Sequence, residues 1–299
     1  MRHTPVLLKE VINILAPKAG EAVLDVTLGL GGHAKTFLEI IGATGRLAGL
    51  DLDEDNLSSA KRNLSSFDNI EYFHLNFGEI GNLDLGNFDV IFADLGLSSP
   101  QLDNPQRGFS FRSDAPLDMR FDRSGGIGAA ELISSLDERR LSDIFWKYGE
   151  IGISRRLAGA IKNFGKIKTT FELKSCVEKA AGFRAKYILP QVFQALRIAV
   201  NDELSSLVAF LDKGPALLKK GGRMGVISFH SLEDRMVKLS FRKLTAPRVC
   251  PATGAIIGEP QFSLLTKKPI VPSSEEISAN PRSRSAKFRG IEKLSAVAQ

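Results

Sequence analysis

Residues 25–33 read Asp-Val-Thr-Leu-Gly-Leu-Gly-Gly-His, and a second acid, Asp51, follows Gly29 by 22 positions. Glycines in such a run let backbone approach a ligand closely, and a helix opening behind them turns its N-terminal N–H groups toward it. Asp51 closes the next strand, where a short carboxylate accepts both hydroxyls of a ribose. Two nucleoside ligands fit. Gly29-x-Gly31-x-x-Ala34 satisfies the G-x-G-x-x-A pattern of dinucleotide sites. There the first glycine closes the strand directly, whereas here Asp25 sits on the strand and Gly29 falls beyond it. An acid at that point suits the amino group of a methionine moiety, so the pattern favours S-adenosyl-L-methionine over a nicotinamide dinucleotide. Asp51 also fits a helix N-cap. His33 fits a ligand contact or a turn cap, and Phe77 an adenine face or plain core.

A second chemical segment is Asp94-Leu-Gly-Leu-Ser98-Ser99-Pro100-Gln101. It follows a strand, and in doubly wound sheets the reactive crevice lies at the carboxyl ends of strands. The exocyclic amine of a base is a poor nucleophile, because its lone pair is delocalised into the ring. An acceptor must hold an N–H while the nitrogen pyramidalises in line with a sulfonium methyl, and positioning supplies most of the rate. Asp94, Ser98 and Ser99 are the candidates, with an ordinary Ser-Ser-Pro turn as the alternative for either serine. The Asp/Asn-Pro-Pro-aromatic tetrapeptide common in amino methyltransferases is absent here.

Arginines alternate with aromatics from Arg107 to Arg123, including Phe109, Arg112 and Arg120. Such a composition suits single-stranded RNA, whose bases stack on rings while guanidiniums hold phosphates. Internal Asp–Arg pairs in a polar loop are the alternative. His230, in Ser-Phe-His-Ser-Leu-Glu-Asp-Arg, fits an RNA contact or base, while Ser231 with Asp234 reads as a helix-capping pair. Arg282, Arg284, Lys287 and Arg289 form a basic cluster that fits phosphate, or a strand edge protected by charge.

These segments need a scaffold. Hydrophobic periodicity predicts a helix over 6–15, strands at 22–26, 46–50, 70–73 and 88–94, and helices at 33–41 and 54–64 between them. That alternation means a parallel sheet covered on both faces, an α/β doubly wound fold. After Asp94 the rhythm breaks. Residues 103–195 read as an inserted, mostly helical domain, dividing the chain into 1–102, 103–195 and 196–299. The pattern resumes with a helix over 202–219, a strand at 222–228, a helix from Leu232, and strands near 262–267 and 286–294. The stretch 269–283 reads as an exposed loop.

Composition sets the bounds. The chain has 299 residues, 43% of them hydrophobic, and a formal charge of +6, which allows a large core and favours a polyanionic partner. Two cysteines, Cys176 and Cys250, lie far apart without metal or redox spacing. A reduced cytoplasmic compartment is expected, with no metal and no membrane partner. Met1 to Lys9 meets charge too early for a signal peptide.

In order along nearly the whole chain, His3-Thr-Pro-Val-Leu-Leu8, the 25–33 loop, 94–103, Arg107-Gly-Phe-Ser-Phe111, Pro116-Leu-Asp-Met-Arg120, Tyr148-Gly-Glu150, 193–201, 228–235 and 280–289 closely resemble the bacterial small-subunit ribosomal RNA cytosine-N(4) methyltransferase family. The resemblance implies a class I methyltransferase fold with a helical insertion. It further implies methyl transfer to the exocyclic amine of one cytidine in the decoding region, with 16S ribosomal RNA in the small subunit or its precursor as partner. Carried onto matching positions, it implies Gly31, Gly32, His33, Asp51, Phe77, Asp94 and Gln101 as donor-binding residues. Ala34 and Ala115 depart from the family's common serine and glycine, at positions assigned no chemistry. Monomer and dimer both remain open, as do an RNA-binding assembly factor without turnover and a dinucleotide-linked oxidoreductase.

Overall fold

The computed structural model describes residues 5–82, 86–250 and 253–295. Residues 1–4, with the opening of the His3–Leu8 string and the first part of the segment read against a signal peptide, lie outside them. The chain divides into two compact units, 1–96 with 205–299, and 97–204.

The first unit is built on a sheet of seven strands: β1 Ala22–Asp25, β2 Arg46–Asp51, β3 Ile70–His74, β4 Phe88–Asp94, β5 Leu218–Ser228, β8 Phe262–Leu264 and β9 Lys287–Lys293. Two short strands, β6 Arg248–Val249 and β7 Ile256–Gly258, pair separately. The sheet order is β3-β2-β1-β4-β5-β9-β8. Strands β1 to β5 run parallel, and β9 lies antiparallel between β5 and β8. From β1 the chain steps outward through β2 to β3 and then crosses back to β4 on the other side of β1, so a crevice opens at the carboxyl ends of β1 and β4.

Alternating side chains explain why both faces are covered. Leu24 packs with Ala48, Leu50, Ile91 and Phe210 in one cluster. Val23 packs with Leu47, Val90, Phe92 and Phe37 in the other. The helices α1 Leu8–Leu15, α2 Gly32–Ile41 and α3 Glu54–Asn63 contribute to the second cluster, and α10 Glu203–Lys213 and α11 Ser231–Leu244 to the first. Buried strands of this kind read as continuous apolar runs rather than as polar–apolar alternation.

Two local expectations change. The helix expected to reach Lys219 stops at Lys213, and a 3-10 turn at Gly214–Leu217 leads straight into β5. Pro215 has no N–H to continue the helix and disfavours helical geometry in the residue before it. The stretch read as a loop contains α12 Ser274–Ala279, whose N-cap Ser273 accepts the Glu276 N–H at 3.2 Å. The Ser-x-x-Glu pattern for that cap stands in the sequence.

The second unit is helical: α4 Ser99–Asp103, α5 Ala129–Ser135, α6 Glu138–Gly149, α7 Ser154–Phe164, α8 Thr170–Ala181 and α9 Ala185–Asn201. Its core includes Phe145, Leu157, Ile161, Val177, Val192 and Leu196. The unit's limits, 97 and 204, are wider than the expected 103 and 195. At one end α4 groups with the helices. At the other α9 runs on to Asn201, where Arg197 grips Glu203 through two hydrogen bonds of 2.8 and 2.9 Å. Among the described residues no helix is long and apolar enough to cross a membrane.

Candidate functional site

Three neighbouring parallel strands end in aspartate: β1 in Asp25, β2 in Asp51 and β4 in Asp94. Parallel register sets all three acids at the same edge of the sheet, so the sequence pattern "apolar run then Asp" becomes one acidic rim. The loop after β1 is tied to it at each step. Asp25 Oδ1 accepts the Thr27 N–H at 3.1 Å, and Thr27 Oγ1 accepts the Asp94 N–H at 2.6 Å. Asp51 Oδ2 accepts the Gly29 N–H at 2.7 Å, while its Oδ1 accepts the Asp53 N–H at 2.8 Å. Asp53, not Asp51, caps α3 by accepting from Asp55. Asn56 Nδ2 approaches both Asp51 oxygens at 3.3 and 3.4 Å.

The glycines are required by shape. Gly31 takes φ +81°, and a Cβ there would stand 2.7 Å from Leu64 Cδ1. A Cβ on Gly32 would meet Pro5 Cγ at 2.7 Å. Gly31 therefore caps α2 in a left-handed conformation that leaves the backbone bare beside the acids. His33, on the first turn of α2, is buried. Its Nε2 stands 3.0 Å from the Val6 carbonyl, which only accepts, so that nitrogen carries the hydrogen. Nδ1 is left facing Asp94 Oδ2 at 3.7 Å.

Electrostatically the rim is overloaded with negative charge. Burial pushes the Asp25 carboxyl up to about 7, with the nearby Asp51 charge adding to the rise. Burial likewise pushes Asp51 up to about 6, despite the N–H groups of Asp53 and Gly29 that favour its ionised form. Asp94 is raised well above the usual carboxylate range, by burial first and then by Asp25 and Glu233. Its Oδ1 is sealed from solvent and accepts no hydrogen bond. No lysine or arginine forms an ion pair with Asp25, Asp51 or Asp94 among the described residues. Nor, among them, does any group of three His, Cys, Asp or Glu side chains converge as metal ligands would. Buried carboxylates without a counter-charge are costly. A ligand carrying positive charge and N–H donors relieves that cost, and S-adenosylmethionine, with a sulfonium and an ammonium, fits the donor set.

Sequence reasoning missed two members of this cluster. Thr27 bridges the β1 loop to β4, a role that nothing in its local pattern signals. Glu233 is buried, and its Oε2 accepts the N–H groups of Phe229 and His230 at 2.7 and 3.2 Å. The helix cap therefore starts one residue earlier than the expected Ser231–Asp234 pair. His230 is the N-cap of α11, with its ring Nε2 3.1 Å from Glu233 Oε1. Only 8% of its side chain is exposed, which is poor access for an RNA strand. Asp234 instead joins Lys287 and Arg289 of β9 at 3.3 and 2.7 Å. Lys287 is thus paired. Arg282 and Arg284 lie exposed on the turn before β9. Phe77 is half-buried and meets Phe210 edge-on at 5.8 Å, a core contact.

In the helical unit, Ser98 and Gln101 form a reciprocal capping box on α4, with Ser98 N–H donating to Gln101 Oε1 at 2.9 Å. The turn role is thereby filled for Ser98, while Ser99 is the first residue of the helix. Two expected RNA contacts are corrected. Arg107 is buried, and its Nη2 donates to the Arg120 and Phe121 carbonyls at 2.9 and 3.0 Å. Phe109 is buried and stacked on Phe121 at 5.6 Å. Both serve the unit's own core, because a loop so rich in backbone turns needs donors and apolar surface inside it. Arg120 makes a forked pair with Asp118 at 2.9 and 2.8 Å, the internal pairing weighed against an RNA role. Arg112 is exposed.

Comparison with known proteins agrees with this geometry. A sequence model of the MraW methylase family matches residues 1–294. The ribosomal RNA small subunit methyltransferase H of Nostoc punctiforme is 47% identical over 297 residues, covering 98% of this chain and 94% of that protein. The protein of the same name from a Cyanothece strain is 46% identical over 298 residues, covering 99% and 96%. That from Syntrophotalea carbinolica is 45% identical over 308 residues, covering 98% of each.

Proposed function

Because the chain belongs to the MraW methylase family, we propose that it transfers a methyl group from S-adenosylmethionine to the exocyclic nitrogen of a cytidine in small-subunit ribosomal RNA, within the decoding region. The observation that carries this reading is the set of uncompensated carboxylates at the ends of β1, β2 and β4, Asp25 buried and Asp51 and Asp94 partly buried. The bound donor supplies a methyl group made electrophilic by its sulfonium. Asp51, fixed by the Gly29 and Asp53 N–H groups, offers its remaining lone pairs to ribose hydroxyls. Asp25 answers the ammonium of the methionine moiety.

Asp94 is the acceptor that faces the reaction. Its carboxyl, 25% exposed, takes an N–H of the target amine, which localises the nitrogen lone pair and aims it at the methyl group. The amine proton needs no strong base before transfer, since the methylated nitrogen is far more acidic than the amine. Arg112, Arg282 and Arg284 are exposed cations suited to phosphate.

Transfer of tritium from methyl-labelled S-adenosylmethionine to immature small subunits tests the proposal. Label in the RNA is expected. Tight RNA binding without transfer would instead assign the protein to subunit assembly, and binding of a nicotinamide dinucleotide in place of the methyl donor would assign it to redox chemistry.

A further inference from the structure

The helical unit carries aromatic side chains that its core does not use. Phe183 is 84% exposed and Tyr187 67% exposed. Both line one shallow groove of about 370 Å³, together with Ile151, Ile153, Arg184 and Ile188. That volume lies at the small end of ligand-sized pockets, ~300 to 1,000 Å³. Leaving two large rings in water forgoes the burial that usually places them in a core.

The charge around the groove points to its occupant. Arg184 stands 5.6 Å from the Phe183 ring centre, and Lys186 Nζ stands 4.8 Å from that of Tyr187. From Arg155 to Lys186 the chain carries nine lysines and arginines against two glutamates. Of these, Arg155, Arg156, Lys166, Lys168 and Lys179 are also exposed. An apolar groove by itself suits a peptide or a second copy of the chain as well as a base. The surplus of positive charge favours a polyanion. Rings flanked by cations are the combination that holds an unpaired strand, with base faces on the aromatics and phosphates on the cations.

We infer that this groove is a stacking site for unpaired RNA bases, with Phe183 and Tyr187 as the platform and Arg184 and Lys186 on the adjoining phosphates. The inference rests on the ribosomal RNA reading above and adds a second place where the strand is gripped. The groove's lining includes no acid, imidazole or thiol, so it binds and does not react. A paired helix does not fit it, because duplex bases are already stacked inside.

The test is fluorescence anisotropy with 5′-labelled dodecauridylate, using the full chain. Replacing both rings (Phe183→Ala with Tyr187→Ala) is expected to weaken binding by at least about fivefold, the lower limit for one stacked base. Phe183→Trp retains the affinity. Arg184→Ala lowers the slope of log K against log salt by about 0.7. Binding of the same strand paired with dodecaadenylate is unchanged by the ring substitutions, as is the melting temperature. Unchanged dodecauridylate affinity in the double variant overturns the inference. So does a shift in oligomeric state by sedimentation, which would give the groove to a second copy. Methyl transfer by the unmodified protein is measured in parallel. Transfer that persists with RNA affinity unaltered by the double variant rejects the groove alone, whereas absent transfer rejects the proposed reaction alone.

Discussion

Asp94 Oδ2 lies 3.7 Å from His33 Nδ1, while the other oxygen of the same carboxyl is buried without a hydrogen-bond donor. The imidazole cannot turn away, because its Nε2–H is spent on the Val6 carbonyl. The Asp94 backbone is held by Thr27 Oγ1, which accepts its N–H at 2.6 Å, and the carboxyl is left incomplete on one side. Set at the strand end with 25% of its side chain exposed, the carboxyl is pre-organised for an N–H that arrives with a ligand. Asp94→Asn keeps the shape but removes the carboxyl's capacity to carry the negative charge that a cationic donor and an amine N–H favour. Its turnover is expected to fall at least ~100-fold, as measured by single-turnover methyl transfer with saturating donor, and turnover within a few-fold of the unmodified protein would remove Asp94 from the reaction.

Donor binding is expected to release protons. Asp25 and Asp51 hold theirs to about 7 and about 6, against 3.8 for an unperturbed Asp. In the unfolded chain they ionise first, so both groups subtract stability as pH rises between about 4 and 7. A cationic ligand reverses that preference by stabilising the carboxylates. Affinity for S-adenosylmethionine therefore rises between about pH 5.5 and 8, and calorimetry in buffers of different ionisation heat reads the released protons. Asp25→Asn is expected to raise the melting temperature of the donor-free protein at pH 8 while weakening the donor. PH-independent affinity would contradict the charge argument.

Asp51→Ala removes the ribose acceptor and also the anchor of Gly29. Donor affinity is expected to drop by ~1 to 3 kcal/mol through lost charge-assisted hydrogen bonds. Isothermal titration measures it, and an unchanged dissociation constant would place the nucleoside elsewhere.

Gly31→Ala puts a methyl group 2.7 Å from Leu64 Cδ1 on a backbone at φ +81°. Left-handed geometry and overpacking each cost ~1 to 3 kcal/mol. The melting temperature should fall, and donor affinity with it.

Arg107→Ala is expected to act on stability and not on RNA recognition. It strands two part-buried carbonyls, those of Arg120 and Phe121, at a cost of ~1 to 3 kcal/mol. Chemical denaturation checks this, and a variant of full stability with selectively weakened RNA binding would return Arg107 to the interface.

Much of the scaffold is legible in the sequence because buried parallel strands leave contiguous apolar runs, and the Asp at the end of each run marks the rim. The glycine loop is legible for the same reason, since Gly31 has no substitute at its backbone angle. Long-range partners are not. Nothing near Thr27 announces its bond to Asp94, and Glu233 acts through a cap that Ser231 and Asp234 imitate one position later. The arginine–aromatic segment misled in a different way. Arg107 and Phe109 have the composition of an RNA-binding loop, yet a turn-rich loop consumes the same residues to satisfy its own carbonyls and core. The exposed pair Phe183 and Tyr187 gave no periodic signal, because exposure of a ring on a helix depends on what packs against it.

Identification of the methylated nucleoside tests the central claim most directly. Small subunits from cells lacking the activity are labelled with the purified protein and methyl-tritiated S-adenosylmethionine, digested to nucleosides and resolved by mass spectrometry. The account predicts label in N(4)-methylcytidine from a single decoding-region position, lost in Asp94→Asn. Label in another nucleoside, or none in the presence of bound donor, would contradict it.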